Sequence, residues 1–161
     1  MPDTVRKTYQ EQLRPTLKQE RALEDVLDRC RARYNGALEQ RLTGWRRGQG
    51  RSVSRSQQEA ELKELRAVLP DHAAIHSQVL QDVLARLDRT YQAFFRRLSA
   101  GEKPGFPRLP GKERYHSFTC KEHGNGARLD TGYLVLSKIG RIAVRWSRPV
   151  MGGHQDRHHL A

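Results

Sequence analysis

Side chains that could do catalytic chemistry are sparse in this sequence, and none stands in a known catalytic pattern. The sequence contains no P-loop, no Gly-x-Ser-x-Gly elbow, no His-Glu-x-x-His pair and no zinc ribbon. A two-metal nuclease needs several carboxylates that converge on one pair of divalent ions. The strand-rich C-terminal half offers only Glu113, Glu122 and Asp130 before its tail, and none belongs to an Asp-x-Asp pair. The sequence therefore predicts no catalytic residue.

Histidine and cysteine residues do not form a recognisable metal site either. His154, His158 and His159 lie in the C-terminal tail without the further ligands that a zinc site requires. Cys30 and Cys120 are far apart and outside any Cys-x-x-Cys pair, so we interpret both as reduced cysteines that pack as small apolar residues. We therefore expect no metal, no cofactor and no small-molecule substrate.

Basic residues favour a different chemistry, the binding of a polyanion. The 161 residues include 30 Lys and Arg against 18 Asp and Glu, which gives a net charge of +12 and a pI near 10.4. The excess is uneven: residues 1–53 hold 12 basic and 7 acidic side chains, residues 54–90 hold 5 and 6, and residues 91–148 hold 12 and 4. A net charge this far from zero usually serves a polyanionic partner.

Aromatic residues are interleaved with the cations of the last of these segments. They are Tyr91, Phe94, Phe106, Tyr115, Phe118, Tyr133 and Trp146. Cations and aromatic rings that alternate on a sheet pair with phosphates and stack on bases, which suits RNA and single strands. Arginine and lysine contacts to phosphate supply affinity without reading base sequence. The alternative is a charged face that only water contacts.

Helices must position the first basic segment and the neutral one that follows it. Thr16 and Gln19 form a Thr-x-x-Gln capping-box pattern, and the apolar face that follows predicts a helix to about Leu42 or Trp45. A second helix is predicted over residues 56–69, where Pro70 stops it. The third, over residues 79–98, has the clearest apolar stripe.

Strands are predicted at both ends of the chain. A cluster of Gly and Pro over residues 101–111 excludes a helix there and indicates an ordered loop or linker. The strand-like segments are residues 7–13, 117–121, 133–137 and 141–146. The sequence therefore predicts one strand, then helices, then further strands.

Several short motifs follow one another along the chain: Tyr9, Pro15-Thr16, Gln19, Cys30-Arg31, Tyr34-Asn35, Ala37-Leu38, Ser77-Gln78-Val79-Leu80-Gln81, Phe94-Phe95, the run Gly101-Glu102-Lys103-Pro104-Gly105-Phe106-Pro107-Arg108, Tyr115 to Thr119, Asn125 to Leu129, and Gly140-Arg141-Ile142. Taken in this order, they resemble the N-terminal part of the TnpB/OrfB proteins of insertion sequences. The resemblance covers roughly residues 6–150, and the Gly101–Arg108 run is not a generic pattern. Gln12 and Gly36 depart from the family, which usually has Arg and Trp there.

The resemblance implies an α+β fold, in which a small β-barrel-like wedge domain has a three-helix domain inserted after its first strand. The implied boundaries are residues 1–15 for that strand, 16–100 for the helical recognition domain, 101–112 for the Gly/Pro loop, 113–150 for the remaining wedge strands and 151–161 for a tail.

The resemblance also implies a function. Family members, long described as transposases, are RNA-guided DNA nucleases that bind a guide RNA and target DNA through these domains. Cleavage belongs to a RuvC-like domain that the resemblance places after Ala161, so we expect binding without cutting. The candidate nucleic-acid contacts are Arg14, Arg31, Tyr34, Asn35, Arg96, Arg97, Lys103, Arg108, Lys112, Arg114, Lys121, Arg128, Arg141 and Arg145.

The tail has a coding peculiarity. The codons of His154, Asp156, His158 and His159, read one base later, are confined to Thr or Ile, so the shifted frame permits an alternating strand. We therefore expect residues 151–161 to be an out-of-frame tail; a genuine polar tail is the alternative.

The sequence also bears on where the protein is located. No stretch approaches the roughly 18–20 apolar residues of a membrane span, and residues 1–9 lack the apolar core of a secretory signal. We expect a prokaryotic cytoplasmic protein, associated with the nucleoid and with no membrane.

One alternative function is that of a free-standing helix-turn-helix regulator, for which Leu69-Pro70-Asp71 is the one candidate turn, in the neutral segment. Another is a non-functional pseudogene product.

Overall fold

The computed structural model describes residues 8–47, 52–124, 126–147 and 158–160. The helices of these ranges are α1 (Leu17–Arg47), α2 (Arg55–Val68), α3 (Pro70–Ala73) and α4 (Ser77–Ser99), with a short 3-10 turn at Lys112–Arg114. The strands are β1 (Gln12–Arg14), β2 (Phe118–Cys120), β3 (Glu122–His123), β4 (Gly126–Asp130), β5 (Tyr133–Leu136), β6 (Gly140–Arg145) and β7 (His158–Leu160). No helix among the described residues has the length and apolar character to cross a membrane.

Helix α1 begins where its capping box predicts. The backbone N–H of Gln19 donates to Thr16 Oγ1 at 3.2 Å, and the N–H of Thr16 donates to Gln19 Oε1 at 2.9 Å. The side-chain amide of Gln19 also donates to the carbonyl of Arg141 at 2.6 Å, which ties the start of the helix to β6. Helix α1 continues to Arg47, slightly beyond its predicted end.

The other two long helices are also confirmed, within two residues at each end. A second capping box, formed by Ser54 and Gln57, starts α2. Pro70 ends α2 as expected, but it also begins the four-residue helix α3, because a proline at the first helical position has no N–H to leave unpaired. Helix α4 buries its apolar stripe, including Leu80, Leu84 and Leu87.

A buried polar group joins the three long helices. Arg41 of α1 is 8% exposed and donates from Nε to Oε1 of Gln58 in α2 at 2.9 Å. Gln58 is fully buried and donates in turn to the carbonyl of Ala37 at 2.9 Å. A guanidinium nitrogen of Arg41 also lies 3.5 Å from the carboxylate of Asp88 in α4. Because buried polar groups need their partners, this contact set favours one relative arrangement of the helices.

Strand β1 joins the C-terminal strands in one sheet. The order is β1-β6-β5-β4-β3, and each neighbouring pair is antiparallel except β3 and β4. Strand β2 pairs separately with β7, with Phe118 opposite Leu160. The helices therefore lie in sequence between β1 and the strands with which it pairs.

The α+β class is confirmed, but the prediction of a barrel is wrong. The sheet is open, with β1 and β3 at its two edges. Leu134, Leu136 and Ile142 from its inner face share one core with Cys30 of α1 and Leu84 of α4. A closed barrel would bury that face against itself, whereas here the helices fill the space and make a two-layer packing.

Strand β4 was not predicted. Gly124 and Gly126 interrupt any strand pattern in the sequence, yet β4 begins at Gly126 itself, with φ of +100°. Ala127 is buried and Arg128 is exposed, so the strand does alternate, but over too few residues for the pattern to stand out from the adjacent glycines.

Candidate nucleic-acid interface

Four neighbouring strands expose one face of the sheet away from the helices. We call it the outer sheet face: Gln12, Arg14, Arg128, Asp130, Tyr133, Val135, Arg141, Ala143 and Arg145. Successive side chains of a strand point to opposite sides, so the buried residues that alternate with these, such as Leu134 and Ile142, face the helices. Strand pairing thus brings four predicted arginines, from β1, β4 and β6, onto a single surface.

Strand register places these arginines across the sheet. Arg128 and Arg141 are both opposite Val135, one on each side of β5. Their Cα atoms are therefore about 10 Å apart, two interstrand spacings. Arg145 lies opposite Gln12 on the edge strand. The cations are spread over the face instead of meeting at one point, which suits a chain of phosphates better than a single anion.

Tyr133 lies near the middle of the outer sheet face and is 41% exposed. The guanidinium carbon of Arg141 is 4.5 Å from the centre of its ring, a cation–π contact. The other guanidinium contact is to Asp130, at 3.9 Å, which also accepts a hydrogen bond from Thr131. Asp130 is the one carboxylate among the described residues of this face.

A second set of predicted contacts lies at the end of α4 and in the segment after it. All members of this set are exposed: Arg96, Arg97, Lys103, Arg108, Lys112 and Arg114. Arg97 is paired with Glu102 at 2.6 Å. The set comes from one continuous stretch of chain, whereas the outer sheet face draws its arginines from three separated strands.

The remaining predicted contacts have partners inside the protein. Tyr34 is buried, with its hydroxyl 3.2 Å from that of Thr90 and its ring 5.9 Å from the ring of Tyr115. Asn35 donates to the carbonyl of Pro110 at 3.2 Å, which holds the Gly/Pro segment against α1.

Two half-buried cations also face protein carboxylates. Arg31 lies 3.5 Å from Asp28, and Lys121 lies 4.0 Å from Asp82. These side chains and those of Tyr34 and Asn35 have evident packing roles, so we leave them out of the interface. A role for any of the four in binding nucleic acid stays a prediction.

Arg86 is an important residue that sequence reasoning missed. Its guanidinium donates to the carbonyl of Ser117 at 2.6 Å and to Thr119 Oγ1 at 3.0 Å, and it lies 3.0 Å from the buried carboxylate of Asp82. It therefore anchors β2 to α4. Its carboxylate partner is four residues away, but its partners in and next to β2 are 31 and 33 residues away in sequence, so no local pattern could have revealed this role.

The two cysteines lie in the core. Burial raises the pKa of the Cys30 thiol to about 12 and that of Cys120 to about 11. Both thiols are therefore protonated at neutral pH and are poor nucleophiles or metal ligands. No group of three or more His, Cys, Asp or Glu side chains that could hold a metal ion occurs in the part of the chain that the structure describes.

The N-terminal residues match a known family. Residues 1–50 match the family model HTH_OrfB_IS605, a helix-turn-helix domain, which confirms the resemblance to OrfB/TnpB proteins over that part of the chain. No curated protein is similar enough to count as a match.

The structure of the matched residues differs from what the name helix-turn-helix leads one to expect. From residue 8 to residue 47 the structure shows β1 and then α1, a single uninterrupted helix of 31 residues. A helix-turn-helix reads DNA with a second, short helix that follows a tight turn. Within residues 8–47 there is no such turn.

Proposed function

We propose that this chain, whose first 50 residues match the helix-turn-helix family model HTH_OrfB_IS605, binds RNA and DNA through its outer sheet face. The observation that supports this most directly is the convergence of Arg14, Arg128, Arg141 and Arg145 on one exposed face. These residues come from three strands, β1, β4 and β6, and their solvent exposure leaves them available for phosphate. The N-terminal match supports a role as the nucleic-acid-binding part of a transposase-associated protein.

The chemistry of the outer sheet face suits a nucleic acid with unpaired bases. The guanidinium groups can contact phosphates without reading sequence, while an exposed ring such as Tyr133 offers a surface on which a base stacks. Proteins that recognise RNA on a sheet use the same combination. The resemblance to TnpB/OrfB implies that the RNA is a guide RNA and that the DNA is its target.

A second candidate is DNA binding by α1 itself, which the description of the matched domain favours. The exposed residues of the first half of α1 are of mixed charge: Lys18, Glu20, Arg21, Glu24 and Asp25. On such a face the acidic side chains repel phosphate about as strongly as the basic side chains attract it. The outer sheet face, with four arginines and one aspartate, is the stronger candidate.

We propose further that these 161 residues bind without cutting. The sequence has no arrangement of carboxylates suited to two metal ions, and the described residues offer no cluster of metal ligands. The purified chain should leave duplex and single-stranded DNA intact in Mg²⁺ or Mn²⁺, with or without RNA. Cleavage that remains after rigorous purification would contradict this part of the proposal.

The binding proposal is tested by charge reversal on the outer sheet face. Arg128→Glu with Arg145→Glu should weaken binding to a structured RNA and to a single strand by at least tenfold, and should lower the salt dependence of the affinity. Each lost phosphate contact reduces the slope of log K against log salt by about 0.7–0.9. The measurement is fluorescence anisotropy between 50 and 200 mM salt, a range over which an affinity that depends on several phosphate contacts changes by orders of magnitude.

The matched control is Lys63→Glu with Arg89→Glu, which removes two exposed cations from α2 and α4. Arg66 and Arg86 lie in the same neutral segment but are unsuitable controls, because both donate hydrogen bonds to backbone carbonyls. Equal losses from the two double variants would mean that binding follows total charge and not the outer sheet face. An affinity of the unaltered chain that does not change with salt would contradict the proposal outright.

A further inference from the structure

Four aromatic rings meet at the C-terminal end of α4, where Phe94 is buried and Tyr91 packs against the core, away from the outer sheet face. The rings of Phe94 and Phe106 are 4.9 Å apart, those of Phe94 and Phe95 are 5.4 Å apart, and those of Tyr91 and Phe95 are 6.1 Å apart. We call these four residues the aromatic cluster. Phe95 is 57% exposed and Phe106 is 58% exposed, so two large rings of the cluster face solvent.

The backbone around the cluster is well defined. Helix α4 is followed by a glycine with positive φ, Gly101, whose backbone N–H donates to the carbonyl of Leu98. The backbone N–H of Glu102 donates to the carbonyl of Arg97. This is the hydrogen-bond pattern of a Schellman motif. The far end of the following segment is fixed by the contact between Asn35 and Pro110. Phe106 is thus presented by a segment that is held at both ends.

The two exposed rings and two exposed leucines of the same stretch of chain are together called the apolar patch. Leu98 and Leu109, from the same stretch of chain, are also largely exposed. Single exposed apolar residues are ordinary, but a contiguous group with two phenylalanines in contact with a third usually marks a binding surface. In a chain with only 7% aromatic residues, this concentration calls for a partner.

The charge around the patch restricts the kind of partner. Residues 91–112 contain one acidic side chain, Glu102, which is paired with Arg97. The basic side chains of the same stretch are all exposed: Arg96, Arg97, Lys103, Arg108 and Lys112. A partner that complements this surface is planar and apolar where it meets the rings and anionic at its edges. Unpaired nucleotides have both properties, because their bases stack and their phosphates are charged.

We propose that the aromatic cluster is a second nucleic-acid contact, in which unpaired bases stack on Phe95 and Phe106 while the surrounding cations pair with phosphates. The inference rests on the proposed function, since it concerns the same class of ligand at a different place. It adds a preference for single-stranded segments, because the bases of an intact duplex are already stacked on each other.

The test uses the full chain with Phe95→Ala and Phe106→Ala together. The probe is a single-stranded oligonucleotide that contains one 2-aminopurine, whose fluorescence is quenched when the base stacks. Affinity for this strand should fall at least tenfold, because both rings on which bases stack are removed. The quenching should disappear, and affinity for a duplex of the same sequence should not change. The salt slope should also stay the same, because no phosphate contact has been removed.

Two control variants separate stacking from other effects. Leu98→Ala with Leu109→Ala removes exposed apolar surface from the same patch without removing a ring, and should leave both affinity and quenching intact. Phe95→Trp with Phe106→Trp keeps flat rings and should retain quenching. Thermal unfolding followed by circular dichroism establishes that each variant is folded.

The outcomes distinguish the inference from the proposed function. If the double alanine variant binds the single strand as the unaltered chain does, while Arg128→Glu with Arg145→Glu weakens it, the proposed function stands and this inference is overturned. Equal losses for single strand and duplex would also overturn it. If the unaltered chain self-associates and the double alanine variant does not, the patch is an interface between copies and the inference fails. No binding by the unaltered chain would refute the proposed function itself.

Discussion

The helical layer and the sheet use arginine in opposite ways. In the helical layer, Arg41 and Arg86 are surrounded by protein, and their guanidinium groups donate hydrogen bonds to glutamine, carboxylate and backbone oxygens. On the outer sheet face, Arg128 and Arg145 are exposed, and the structure shows no protein partner for either side chain among the described residues. The total of 30 basic residues therefore combines side chains that maintain the fold with side chains available to a ligand. Net charge alone cannot separate the two groups, but the position of each residue does.

The largest effect that would test this contrast is at Arg86. Arg86→Ala leaves the buried carboxylate of Asp82 facing only Lys121, at 4.0 Å, and removes the donors to Ser117 and Thr119. Breaking a buried ion pair by removing one partner costs about 3–5 kcal/mol. We expect the free energy of unfolding, measured by urea titration, to fall by that amount. A loss below about 0.5 kcal/mol, the range of ordinary surface substitutions, would place Arg86 with the ligand-binding group instead.

The next effect is at Arg41. Arg41→Met keeps the length of the aliphatic stem but leaves Oε1 of the fully buried Gln58 without its donor. An unsatisfied buried acceptor costs about 1–3 kcal/mol. Replacing Gln58 at the same time, in the double variant Arg41→Met with Gln58→Leu, should recover part of the loss because the buried acceptor is removed together with its donor, although Ala37 and Gln40 then lose the donor that Gln58 supplies. If the double variant is less stable than the sum of the two single variants predicts, the polar contact is not what Arg41 contributes.

Much of the helical layer could be predicted because its signals are local. The capping box of Thr16 and Gln19 is four residues long, and the apolar stripe of α4 repeats every three or four residues. The roles of Arg41 and Arg86 could not be predicted, because the partners that connect them to other elements are polar and 17 to 47 residues away. Tyr34 illustrates the opposite difficulty: it lies on the apolar face of α1 and within a family motif, and only the structure shows that its hydroxyl is bonded inside the protein.

The sheet was predicted less completely, for a physical reason. Its strands are two to six residues long, too short for the two-residue period to be distinctive. In β6, Arg141 and Arg145 alternate with Ile142 and Val144, which is consistent with one exposed and one buried face. The alternation does not show which other strands contribute to the exposed face. The open edge was missed because nothing local in the sequence distinguishes a sheet closed on itself from one covered by helices.

A smaller effect on stability is expected on the outer sheet face. Arg128→Glu with Arg145→Glu should change the free energy of unfolding by no more than about 0.5 kcal/mol per site, because both side chains are exposed and away from packing contacts. The same double variant is expected to lose nucleic-acid affinity. This combination is the reverse of the one expected for Arg86→Ala, whose primary effect is on folding. A large loss of stability in the sheet variant would remove the contrast between the two layers.

The smallest effect concerns Arg141, which combines features of both groups. It is exposed, yet it contacts the ring of Tyr133 and lies 3.9 Å from Asp130. An exposed ion pair at that distance contributes about 0–1 kcal/mol to stability, so Asp130→Asn should leave unfolding almost unchanged. The asparagine oxygen can still accept the hydrogen bond from Thr131, so the turn between β4 and β5 is kept.

Asp130→Asn should nevertheless alter binding. The substitution removes the one negative charge among the described outer-face residues and frees the guanidinium of Arg141 for phosphate. A gain of about 0.5 kcal/mol in binding, typical of a single exposed charge, corresponds to an affinity roughly twofold higher at low salt, and the gain should shrink as salt screens it. Anisotropy titrations at two salt concentrations are sufficient to measure this. A lower affinity would show that Asp130 is needed to hold Arg141 over Tyr133, and Arg141 would then belong with Arg41 and Arg86, whose contacts organise the protein before any ligand binds.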